Sequence, residues 1–121
     1  MELQVLDFDF SGDAHGQGSF DAMAAATPAQ LPSLQAEVLR VLAWGERQFG
    51  PPAPPEEGGE WDYALHGVRE VATPLAVRWR PGAAQLEFTP GDADPPRVTL
   101  TLTLTGTEAF CAAFREAFGV A

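Results

Sequence analysis

Lysine, isoleucine and asparagine are absent from this chain. Their codons are AT-rich, so the shared absence points to a GC-rich bacterial genome rather than to chemistry. The missing lysine still has a consequence, because no ammonium group can reach a phosphate as it does in a P-loop. A single cysteine, Cys111, excludes an internal disulfide framework. No apolar run approaches the roughly 18 residues that a helix needs to cross a bilayer. The N-terminus lacks a basic segment followed by a long apolar one, so no export signal is visible and the cytoplasm is the expected compartment. Positive charge is scarce: seven arginines stand against 17 acidic residues, for a net charge of −10. Such a chain repels nucleic acid and anionic membranes, so a basic protein or a cation is the better expected partner. An acidic surface also serves solubility alone.

What is present organises around one stretch. In residues 98–105, Val98, Leu100, Leu102 and Leu104 alternate with four threonines, the period of a half-buried strand. Phe110, Phe114 and Phe118 then recur at a spacing of four, which is helical. Thr105 or Thr107 caps this helix, and Thr105 with Glu108 has capping-box spacing. Cys111 lies inside the helix and is expected as a small buried hydrophobe. With 121 residues, the chain has the size of one domain.

From the N-terminus, residues 3–10 are expected as a first strand, because Leu6, Phe8 and Phe10 alternate with Asp7 and Asp9. Leu3 and Val5 fall in the opposite phase, which requires either two covered faces or a bulge. Residues 11–21 have turn chemistry and are expected as a loop. Phe20, Met23 and the alanines up to Ala26 are expected as a short helical turn. Thr27, Pro28 and Gln30 resemble a helix start, and Pro32 moves the true start to about residue 31. Leu31, Leu34, Val38, Val41, Leu42 and Phe49 then share one helix face, with Gln35, Glu37, Arg40 and Arg47 off it. Gly50 and Pro51 end the helix. Residues 50–59 are a proline-rich linker, expected as a spacer.

Three further strands follow. Trp61, Tyr63 and Leu65 alternate in the first, Leu75, Val77 and Trp79 in the second, and Ala84, Leu86 and Phe88 in the third. A four-residue turn at Arg80–Ala83 sets Trp79 opposite Ala84, Val77 opposite Leu86 and Leu75 opposite Phe88, all on one face. Trp61 and Trp79 are both expected in the core. Trp44, at the edge of the first helix's apolar face, either seals the core rim or anchors a partner. The expected fold is a two-layer α+β domain over residues 1–121. It has an antiparallel sheet of about five strands in the order β-α-β-β-β-β-α, with two amphipathic helices on one face. The threonine face of the last strand is left to solvent or to a partner.

No motif specifies chemistry. Asp7-Phe8-Asp9-Phe10-Ser11-Gly12 matches the opening of a calcium loop, but Gly18 stands where the bidentate glutamate belongs. Asp7, Asp9 and Asp13 remain the candidate metal ligands, and a solvated strand face explains the same residues. His15 and His66 could join them only if the fold brought them together. Ser11, Ser19 and Ser33 lack a nucleophile elbow or an adjacent base. No catalytic residue and no cofactor are expected.

The segments GSFDAMAAA, VLAWGERQF, GGEWDYAL and TLTLTGTEAFCAAF resemble a small family of short bacterial α+β proteins with no assigned function. The resemblance spans most of the chain and implies no activity. The function expected from the residues is a small acidic, non-catalytic protein-interaction or regulatory module. The alternative is weak binding of a divalent cation or small ligand by residues 7–18.

Overall fold

The computed structural model describes all 121 residues and has an α+β fold. The elements are β1 (Asp9–Gly12), β2 (Gly18–Ala26), α1 (Leu31–Phe49), a 3-10 turn (Pro55–Glu57), β3 (Trp61–Glu70), β4 (Leu75–Trp79), β5 (Leu86–Pro90), β6 (Arg97–Gly106) and α2 (Glu108–Phe118). Four strands form one antiparallel sheet in the order β1-β2-β6-β3, and β4 with β5 form a separate two-stranded ribbon. The strands expected in one sheet of about five are thus divided between two, and neighbours in the larger sheet are not all consecutive in sequence. β6 lies between β2 and β3 and is antiparallel to both, so β2 and β3 run parallel and α1 is their crossover.

The second correction concerns residues 18–26, which are a strand and not a loop with a helical turn. Phe20, Ala22, Ala24 and Ala26 are buried, while Asp21, Met23 and Ala25 are exposed. Alanine is too small to show a period of two in sequence, and its helix propensity is a weak preference. Pairing along the whole length of β6, from Gly18 opposite Gly106 to Ala26 opposite Val98, overrides it.

The first strand is also shorter than expected. Only Asp9–Gly12 pairs with β2. Upstream, the backbone N–H groups of Gln4, Val5 and Leu6 all donate to the carboxylate of Glu37 on α1, at 2.8–3.0 Å. A chain whose donors converge on one side chain cannot also run a sheet ladder. Leu6 and Phe8 remain buried, as their spacing predicts. Glu37 is buried as well, although its charge sets it off the apolar face of α1 in the sequence. Three backbone donors make that burial tolerable.

Both helices cover the same side of the sheet. Val41 and Leu34 of α1 and Phe110 and Phe114 of α2 join Phe20, Leu102, Leu104 and Trp61 as fully buried side chains. The Trp61 ring stacks on Phe110 with centroids 5.7 Å apart and an interplanar angle of 3°. Its indole N–H donates to the Gly50 carbonyl at 2.9 Å. A β-carbon at Gly45 would sit 2.9 Å from the Trp61 ring, so glycine is what lets α1 approach it. The proline-rich stretch is docked rather than free, with the Ala53 N–H donating to the Trp61 carbonyl at 2.9 Å. Helix α2 is capped by Thr107, whose hydroxyl accepts the Phe110 N–H, and ends on left-handed Gly119.

The Glu37 contact makes stability depend on pH. Desolvation raises its pKa, but the N–H groups of Leu6, Val5 and Gln4, with Arg40 nearby, outweigh it and hold the carboxyl below its ordinary value. A depressed folded pKa gives stability that is present above the unfolded value and is lost as pH falls through the folded one. Glu37→Gln is expected to cost about 2 kcal/mol near neutral pH. Chemical denaturation should show that difference shrinking as both proteins are acidified through the carboxylate range.

Candidate functional site: an exposed apolar arm

Past Glu70, the β3–β6 ladder leaves the sheet and continues as a ribbon. The Asp94 N–H donates to Ala72 O at 2.8 Å and the Gly91 N–H to Pro74 O at 2.9 Å, leading into β4 and β5. These two strands pack on each other and on no other element to any extent. The ribbon ends in a tight turn in which the Ala83 N–H donates to Arg80 O, with Pro81 and left-handed Gly82 between them. That is the geometry of a type II turn.

The register is Leu75 opposite Pro90, Val77 opposite Phe88 and Trp79 opposite Leu86. It is displaced by two residues from the expected hairpin, because Ala84 and Gln85 belong to the connection. A shift of two keeps the parity, so Leu75, Val77, Trp79, Leu86 and Phe88 still share one face, with Pro90 in place of Ala84. What changes is what that face meets. Leu75, Val77, Trp79, Leu86 and Phe88 are 52–60% exposed. Trp79 is not a core residue, and its indole N–H only closes the turn on Ala83 O at 3.1 Å. Arg78 and Glu87 pair on the opposite face, and Arg80 bridges Glu87 at 2.9 Å. Period-two alternation identifies such a face as apolar but not as covered, and no residue in the arm distinguishes the two cases.

Charge is divided between arm and body. Residues 71–96, beyond the four-stranded sheet, hold two arginines, Arg78 and Arg80, against three acids, Glu87, Asp92 and Asp94. The arm therefore carries a net charge of −1, and −9 of the total −10 falls on the rest of the chain.

The sequence-derived candidates lie elsewhere. Trp44 is 6% exposed and packs edge-on against Phe110, Phe114 and Phe118, so of its two expected roles it has the one that seals the core and not that of an exposed anchor. Asp7 and Asp9 line a depression beside the C-terminal end of α2, whereas Asp13 lines a different one with Ser11, Ser19 and Thr105. The Asp13 carboxylate accepts the N–H groups of His15 and Gln17, which shapes the β1–β2 connection. Three or more His, Cys, Asp or Glu side chains converge nowhere in the structure. His15 is exposed at that connection, and His66 is exposed on β3 opposite Thr101. Cys111 is buried, which raises its thiol pKa, and its S–H points to Gly106 O. The four threonines of β6 are half-buried on the sheet face away from the helices, where Met23 and Val68 are exposed.

Comparison with protein-family models, with curated proteins and with solved structures finds no match to this chain. None of the three bears on the resemblance to short bacterial proteins.

If the arm contributes nothing to the core, its apolar side chains are dispensable for folding. Val77→Ser and Phe88→Ser should each change stability by less than about 1 kcal/mol, the range of cross-strand pair energies. Trp61→Ala should cost about 3–5 kcal/mol, as for a buried aromatic. Urea titration of the three variants separates the two classes.

Proposed function

We propose that this chain is a small acidic protein-interaction module whose contact surface is the β4–β5 arm. The observation that carries the reading is the unpartnered apolar face of Leu75, Val77, Trp79, Leu86, Phe88 and Pro90. Isolated exposed hydrophobes are ordinary, but a contiguous set on one projecting element is not. Two exposed aromatics flanked by aliphatic side chains have the composition of an interface centre. The acidic body supports the reading differently. It disfavours nucleic acid and anionic lipid as partners and adds salt-dependent steering toward cationic surfaces. A buried Cys111 and separated histidines supply no nucleophile beside a base.

The reading is tested by using the full chain and its Trp79→Glu/Phe88→Glu variant as paired baits in host lysate. Proteins retained by the wild type, copies of this chain included, are expected to be lost from the variant. Retention of the same set by both baits would remove the arm from the interaction.

A further inference from the structure

Resting on the reading of the arm as a contact surface, we infer that its occupant is the arm of a second copy of this chain. The two arms pack face to face and antiparallel about a two-fold axis. Three features of the arm specify that partner and that orientation.

The first is area. The six apolar side chains expose on the order of 600 Å² on one copy, so two facing arms cover roughly 1,200 Å², the lower bound for a stable interface. A single arm on a flat polar surface would not reach that figure with apolar contact alone. Two-stranded ribbons can meet through their side chains at about 10 Å, as two sheets do in a sandwich.

The second feature is a gradient of bulk along the ribbon. The tip pair is Trp79 with Leu86, the middle pair Val77 with Phe88, and the root pair Leu75 with Pro90. An antiparallel two-fold centred on the middle pair sets the largest pair of one arm over the smallest pair of the other. A parallel arrangement would set tryptophan on tryptophan at the tip and leave the root underfilled. A two-fold contact must be self-complementary, and this gradient is so only in the antiparallel sense.

The third feature is charge. Residues 71–96 carry a net charge of only −1 (two arginines against three acids), so two arms meet with little repulsion. Antiparallel packing also leaves the two strongly acidic bodies at opposite ends of the paired arms. Residues 71–79 span roughly 30 Å when extended, several times the screening length of about 8 Å at physiological salt. Parallel packing would bring the two bodies side by side.

Sedimentation equilibrium of the full chain over a wide concentration range tests the inference, with circular dichroism to confirm that each variant is folded. The wild type is expected to show a monomer–dimer equilibrium. Trp79→Glu/Phe88→Glu should be monomeric throughout with unchanged helix content. A wild type that stays monomeric, or a dimer indifferent to the arm variant, would overturn the inference. A monomeric wild type that loses a lysate protein on arm mutation defeats self-association and leaves the interaction module standing. A monomeric wild type with no arm-dependent partner defeats both.

Discussion

The two ladders of β6 hold the molecule together. On one side it pairs with β2 from Gly106 to Val98, and on the other with β3 from Gly106 to Arg97. Its side chains alternate without exception, so a slip of one residue against either neighbour would turn four threonines into the core and expose Leu102 and Leu104. Those leucines are fully buried, and they lie under the same layer that Phe110 and Phe114 build from α2. The strand and the following helix therefore supply both halves of one contact, and β2, α1 and β3 close around it. The register also has a consequence for shape. β3 and β6 are each ten residues long, but the helices cover only part of them. From Tyr63 onward every residue of β3 is exposed, and the ladder continues beyond the body as the arm.

Much of this was legible in the residues. The period of two in 98–105 and the phenylalanine spacing in 110–118 stated a strand and a helix with one apolar face each, and both are present. The Arg80–Ala83 turn was legible because proline and glycine occupy the two positions that demand them. Two elements were hidden for physical reasons. In β2, alternate positions are mostly alanine, which is apolar enough for either face and too small to mark one. In the N-terminal segment, the alternation of Leu6, Phe8 and Phe10 gave the buried side but not the backbone partners. Those come from Glu37, a carboxylate 31 residues from Leu6 in sequence.

The surface proposed for function was the least legible part. Trp44 stands at the edge of a helix's apolar face and Trp79 within a strand's alternation, yet the first is enclosed by four phenylalanines and the second projects from the molecule. The difference is tertiary. Trp44 lies where α1 meets α2, whereas β4 and β5 have no helix above them. A repeating apolar face states a need for cover, and only the arrangement of the other elements shows whether the same chain meets it. Here the apolar face lies on an arm of net charge −1, while most of the net negative charge is carried by the body. Under the proposed reading, such a chain associates through one element and stays dispersed through the rest.

The most direct test of that division is hydrogen–deuterium exchange of the full chain at low and high protein concentration. Amides of β4 and β5 are predicted to exchange quickly when the protein is dilute and to become protected as concentration rises, while those of β6 are protected throughout. Equal protection of the arm at both concentrations would contradict the account, because it would mean that the arm is ordered without a partner and that its exposed face waits for none of its own kind.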